Sequence, residues 1–198
     1  MRKFLMIAWI TLLLSGIVAL FWYTDWKYSL PTPVPNDYHA IQTGSPVYLG
    51  KKIRSAPGRS IFLHFFNPSC PCSRFNMPYF RGLVKKYGGS VDFAIVVMSS
   101  SHYTTREICE KFGLDLPVYF DSSMAKACGV YSTPQAVIID SADRLYYRGN
   151  YNKSRYCADS KTNYAEIALL ALLMRHPIRL EDPSALKAYG CSLPNCKK

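Results

Sequence analysis

Two cysteines flank a single proline at Cys70-Pro71-Cys72, after a short loop, Asn67-Pro68-Ser69, that follows the apolar run Ile61 to Phe66. A thiol attacks as its thiolate, and a helix N-terminus favours that form because unpaired N–H groups and the macrodipole point toward it. Pro71 suits a first helical position, where its missing N–H costs nothing and its fixed φ already fits. Cys70 is then expected at the N-cap as the nucleophile, with Cys72 as its partner in the first turn and Arg74 adding positive charge. Residues two apart on a helix point to nearly opposite sides, whereas residues three apart share a face. Bonding Cys70 to Cys72 therefore requires a non-helical Cys70 and strains the bond. Three chemistries stay open: an oxidising Cys70–Cys72 pair, a lone nucleophile released by its substrate or a reductant, or resolution by a cysteine elsewhere.

His64 stands six residues before Cys70. Strand alternation puts it with Phe62 and Phe66, opposite Ile61, Leu63 and Phe65. An imidazole that exchanges a proton near neutral pH can act as base toward Cys72 or Ser73. The competing role is a core histidine held by a hydrogen bond.

These groups need a scaffold. Ser73 to Tyr87 carries Phe75, Tyr79, Phe80, Leu83 and Val84 at helical spacing and ends at Gly88-Gly89, so it reads as a helix with Pro78 inside it. Val91 to Met98 is a nearly continuous apolar run, as in a strand buried on both faces. Thr104 to Phe112 reads as a short helix, Leu116 to Phe120 as a strand, Ser122 to Cys128 as a helical turn and Tyr164 to Met174 as an apolar helix covering a sheet face. Strands alternating with helices predict an α/β sandwich.

The order of these features resembles the thioredoxin-like superfamily. Membrane-tethered periplasmic members have a strand ending in an aromatic pair, a short loop, C-x-x-C opening a helix, and Met-Pro four residues after the second cysteine. Here Phe65-Phe66, Cys70 and Met77-Pro78 fall at matching places, but the position three after Cys70 is Ser73 and the second thiol has moved to Cys72. Ser132-Thr133-Pro134, the run Ala136 to Asp140, the turn Ser141-Ala142-Asp143 and Leu145 to Gly149 resemble the family's cis-proline loop and closing hairpin. The chain is also similar to a bacterial thioredoxin-like group with a C-P-C-S-R-F motif. The resemblance covers roughly residues 50–175. It implies a three-layer α/β/α sandwich, a buried group at His64 that manages the second thiol's proton, and a loop at Thr133-Pro134 that docks an extended peptide as a short strand.

Phe4 to Tyr23 contains no charged residue, and about 20 such residues span a bilayer. Arg2 and Lys3 precede it, so the positive-inside rule leaves the N-terminus in the cytoplasm and sends the rest outward. A cleaved secretory peptide has a shorter apolar core, and no A-x-A-like site follows here, so an uncleaved anchor is expected. Pro31, Pro33 and Pro35 then stiffen a tether. The organisation predicted is an N-terminal transmembrane anchor at 1–30, a proline-containing linker at 31–47, a thioredoxin-like domain at 48–176 and a cysteine-containing tail at 177–198.

The 198-residue chain carries a formal charge of +11, from 24 Lys and Arg against 13 Asp and Glu. The basic residues are scattered, and an exported domain has no nucleic acid to bind, so a solvated basic face beside anionic head groups is expected instead. Seven cysteines in an exported chain leave an odd thiol. Cys109 and Cys128 read as small buried hydrophobes. Cys157, Cys191 and Cys196 lie in polar, loop-like sequence, where exported proteins place structural disulfides. The related bacterial group's cysteine after the closing hairpin and its Gly-Cys tail step imply a Cys157–Cys191 bridge, with Cys191–Cys196 as the local alternative.

The function expected is a thiol-disulfide oxidoreductase of the bacterial inner membrane, single-pass, with its C-terminal domain in the periplasm. It would act on exported protein thiols or disulfides, with a membrane or periplasmic redox partner and no cofactor. The alternative is a copper-handling protein holding Cu(I) through Cys70 and Cys72. The peroxiredoxin pattern P-x-x-x-[ST]-x-x-C is absent before Cys70.

Overall fold

The structure, a computed structural model, describes residues 1–50, 53 and 56–193. It begins with a helix, α1 (Arg2–Ser29), whose Phe4, Leu13, Ile17 and Phe21 side chains are exposed. Its span Arg2–Thr24 is long and apolar enough to cross a membrane.

The domain is built on β1 (Ile61–Phe66), α2 (Pro71–Tyr87), β2 (Asp92–Val97), α3 (Thr105–Phe112), β3 (Val118–Tyr119), α4 (Ser123–Cys128), β4 (Ser132–Thr133), β5 (Gln135–Ile139), β6 (Leu145–Gly149), α5 (Tyr164–Leu173) and β7 (Cys191–Ser192). Five strands form one sheet in the order β3-β2-β1-β5-β6. β1 lies at its centre, parallel to β2 and antiparallel to β5. That position explains why all six of its residues are buried: a central strand with helices on both faces has no wet side.

Alternation along β1 feeds two cores. Phe62 and Phe66 pack with Phe80 of α2, Ile108 of α3, Tyr147 of β6 and Leu169 of α5. Leu63 and Phe65 pack on the opposite face with Val96, Val137, and Met124 and Cys128 of α4. The result is a three-layer α/β/α sandwich. Each large apolar side chain moved from water into these layers contributes about 1.5–3 kcal/mol. Local signals set the helix ends: Thr104 and Glu107 form a reciprocal capping box on α3, and Gly113 closes that helix at φ 59°.

The linker departs from the sequence expectation. Residues 31–47 are folded onto the domain rather than standing off it as a tether. Thr32 is buried, its N–H donates to the Ala188 carbonyl, and Val47 N–H donates to the Asp143 carbonyl. Pro31 bridges to Tyr189 and Pro46 to Arg144. The tail is likewise ordered by hydrogen bonds before its first cysteine: Asn150 Nδ2 donates to the carbonyls of Ser184 (2.7 Å) and Lys187 (2.8 Å). Gly149 is required beneath it, since a Cβ there would meet the Ala185 carbonyl oxygen at 2.3 Å. The two segments fasten each other, and neither is a separate unit.

Candidate functional site

Cys70 is the N-cap of α2, in an extended conformation (φ −83°, ψ 124°), with Pro71 at the first helical position. The loop before it is held tightly. The Asn67 carbonyl accepts from Cys70 N–H, Asn67 Oδ1 accepts from Ser69 N–H, and Ser73 Oγ accepts from Asn67 N–H at 3.2 Å. Ser73 is thus buried and engaged in bracing the loop. Cys70 Sγ lies 3.9 Å from the Thr133 carbonyl oxygen, and the Thr133–Pro134 peptide is cis. A sulfur at a helix N-terminus and a backbone edge therefore meet at one point.

The bond Cys70 makes is not to Cys72. It is a disulfide to Cys191, 121 residues away, which corrects both the Cys70–Cys72 pairing and the Cys157–Cys191 bridge. The reason for the first is geometric. An N-cap side chain leaves the helix axis differently from one inside the first turn, and Cys72, two residues on, points elsewhere. Cys72 is fully buried; burial pushes its thiol pKa up, opposed by the charge and hydrogen bond of Arg155. Cys157 remains a thiol whose sulfur accepts from Asn76 Nδ2 at 3.1 Å. Burial pushes it up to about 11. Cys196 lies outside the described residues.

β7 carries Cys191 into this site. It pairs antiparallel with β4, Ser192 opposite Ser132 and Cys191 opposite Thr133. Ser132 Oγ reaches the carbonyls of Tyr189 (3.1 Å) and Cys191 (3.3 Å). Gly190, at φ +116°, is obligatory, because a Cβ would stand 2.3 Å from the Thr133 carbonyl oxygen. Leu193 then reaches a cleft of ≈ 630 Å³ lined also by Tyr38, Met98, Ala125 and Tyr131. The sequence offered the Gly190-Cys191 step, but nothing local to it names Cys70 as the partner.

His64 is fully buried beneath α2. Its Nδ1 is 2.7 Å from the Tyr151 hydroxyl, and its ring stacks on Phe80 with centroids 4.3 Å apart. Desolvation pushes its pKa down to about 3. The imidazole is therefore neutral at physiological pH and a weak base, and its partner is a tyrosine rather than a thiol. Among the described residues no group of three or more His, Cys, Asp or Glu side chains converges to hold a metal. Cys70, tied to Cys191, offers no thiolate to Cu(I) in this state. Cys128 is a buried thiol pushed up to about 12 by burial.

Comparison with solved structures finds the same fold at low identity. A conserved protein from Geobacillus kaustophilus has a TM-score of 0.62 at 22% identity, over 83% of this chain and 97% of that one. A protein from Sinorhizobium meliloti 1021 has a TM-score of 0.59 at 18% identity, over 79% and 96%. A thioredoxin-like protein solved in solution in its oxidised form has a TM-score of 0.50 at 17% identity, over 74% and 97%. No curated protein matches the chain. Residues 41–192 match the family described as Domain of unknown function (DUF6436). That span takes in every strand of the main sheet, the helix that Cys70 caps and β7, which carries Cys191 to it: the chain belongs to the DUF6436 family, on a thioredoxin-like fold.

Proposed function

We propose that this protein is a thiol-disulfide oxidoreductase that exchanges disulfides with exported proteins through Cys70, tethered to the bacterial inner membrane by α1 with its domain on the periplasmic side. The observation that carries the reading is the meeting of a helix-capping cysteine with the Thr133–Pro134 backbone, the sulfur 3.9 Å from the Thr133 carbonyl oxygen. A helix N-terminus stabilises a thiolate, both as attacker and as leaving group. The Thr133 backbone edge beside it, covered by β7 while Cys70 is bound to Cys191, can take an extended segment by strand addition once β7 is displaced. The tether is supported by the apolar span of α1 and by Arg2 and Lys3 in front of it.

The test has two parts. The reduced full chain in detergent should reduce a disulfide-containing peptide, and Cys70→Ser should abolish this; activity equal to wild type in that variant overturns the reading. Protease added to spheroplasts should digest the domain and spare the anchor. Survival of the domain under conditions that degrade periplasm-facing controls reverses the topology.

A further inference from the structure

We propose that Cys191 is the second redox cysteine of the Cys70 site, and that residues 190–193 are a built-in stand-in for the client segment; this rests on the exchange reading above. An ordinary dithiol helix places its second cysteine three residues after the first. Here that place is Ser73, engaged by the Asn67 backbone, while Cys72 is buried and remains a thiol. Cys70 obtains its partner from the tail instead.

The tail reaches the sulfur in the manner available to a client. β7 adds to β4 as an antiparallel strand, with Cys191 opposite Thr133. Tail and client thus compete for one edge. The tail is also divided into a fixed and a releasable part. Up to Tyr189 it is clamped: Asn150 holds Lys187, Thr32 N–H binds the Ala188 carbonyl, and Tyr189 OH donates to the Asn152 carbonyl at 2.7 Å. Gly190 is the joint, in a conformation that L side chains rarely adopt. Beyond it the disulfide is the one cross-link, and the other holds are the two-residue strand, the Ser132 and Thr32 hydroxyls on the Cys191 and Gly190 carbonyls, and Leu193 against the core. Breaking the disulfide leaves only these weak contacts for Cys191 to shed as it swings away from the clamped domain.

The chemistry then balances without a further reagent. The Cys70 thiolate attacks a client disulfide, forming a Cys70–client bond and releasing one client thiolate. The Cys191 thiolate attacks Cys70 Sγ, forming Cys70–Cys191 and releasing the second. The client gains two electrons and the enzyme dithiol loses them; the reverse sequence oxidises a client dithiol. The stand-in also defines a preference. The residue before the client cysteine must be small, since a Cβ at Gly190 meets the Thr133 carbonyl oxygen, and an apolar residue two places after it enters the Leu193 cleft.

The probe is a peptide closed by one disulfide, with Gly-Cys-Ser-Leu around one of its cysteines, mixed with the reduced full chain in detergent and followed by mass spectrometry after acid quench. Wild type and Cys72→Ser should yield reduced peptide and a Cys70–Cys191 disulfide. Cys191→Ser should stop at a Cys70–peptide adduct, with release of reduced peptide slowed at least ten-fold. If Cys191→Ser releases peptide at the wild-type rate, or Cys72→Ser accumulates the adduct instead, Cys191 is a structural staple and the proposal fails while Cys70-dependent exchange stands. If Cys70→Ser reacts like wild type, the exchange reading itself falls. With wild type alone, replacing the peptide's glycine by valine should slow reaction at least ten-fold; equal rates overturn the stand-in.

Discussion

The hydroxyls of Thr32 and Ser132 meet at 2.8 Å in the interior, 100 residues apart in sequence. Ser132 lies one residue before the cis Thr133–Pro134 peptide and also reaches the Tyr189 and Cys191 carbonyls. One small side chain therefore joins the segment after α1, the β4 edge and the tail that carries Cys191. It works beside the Asn150 and Tyr189 contacts that clamp the tail up to Tyr189, and it is the side chain that carries the hold past Gly190 to Cys191.

Ser132→Ala removes that junction while leaving the buried Thr32 hydroxyl and two carbonyls to find other partners. Loss of hydrogen bonds to buried groups of this kind costs about 1–3 kcal/mol. Urea unfolding of the oxidised protein should show a loss in that range, and protease should cut the tail after Tyr189 sooner than in wild type. Unchanged stability together with unchanged proteolysis would mean that the disulfide and the Asn150 and Tyr189 clamps place the tail without Ser132.

Thiol reactivity should separate the cysteines once the protein is reduced. Cys70 caps a helix, whereas burial pushes Cys157 up to about 11 and Cys128 up to about 12, and raises Cys72 as well. At pH 7 the raised thiols are almost entirely protonated and react slowly. Iodoacetamide followed by peptide mapping should find Cys70 labelled ahead of Cys72, Cys128 and Cys157. Earlier labelling of any of those three would remove the basis for Cys70 as nucleophile.

The sheet, the helix that begins at Cys70 and the two faces of β1 were legible because each is written in a local pattern. Ile61 to Phe66 is continuously apolar, Pro71 marks a helix start, and Phe62, His64 and Phe66 share one face. The Cys70–Cys191 pairing was not, because it depends on a path of 121 residues. The two-residue strands β4 and β7 are too short to show a period, and register is fixed here by Gly190 and Ser132 rather than by alternation. Pro31, Pro33 and Pro35 suggested a stiff spacer by composition. What binds that segment is backbone pairing and the Thr32 hydroxyl, which composition does not reveal.

His64 should make the protein acid-sensitive. Its folded pKa is pushed from 6.5 down to about 3, so between those values the unfolded chain binds a proton that the folded protein does not. Stability must then rise with pH across that window; the contribution is complete above 6.5 and is lost as pH falls toward 3. Each unit of difference corresponds to about 1.4 kcal/mol. Unfolding midpoints measured from pH 7 to pH 4 should fall more steeply for wild type than for His64→Asn, in which the carboxylates still titrate but the imidazole is gone. Parallel curves would show that His64 is protonated without cost, and that its burial against Phe80 and Tyr151 is not what sets its charge.

Gly190→Ala tests whether the close approach of β7 to β4 governs the disulfide. The new methyl would stand 2.3 Å from the Thr133 carbonyl oxygen, on a residue held at φ +116°. Both demands exist while Cys191 is bound to Cys70 and vanish once the tail is released, so the substitution penalises the oxidised form alone. Backbone strain of this type costs about 1–3 kcal/mol, and 1.4 kcal/mol is a factor of ten in an equilibrium constant. In glutathione buffers of graded ratio, the Cys70–Cys191 bond of Gly190→Ala should therefore be reduced about ten-fold or more readily than in wild type. Gly89→Ala is the control, since a Cβ there meets nothing within 4 Å, and its redox equilibrium should match wild type. A Gly190→Ala protein that titrates with the control would mean that the tail reaches Cys70 without the tight β4 pairing, and the steric basis for a small residue before a client's cysteine would be lost with it.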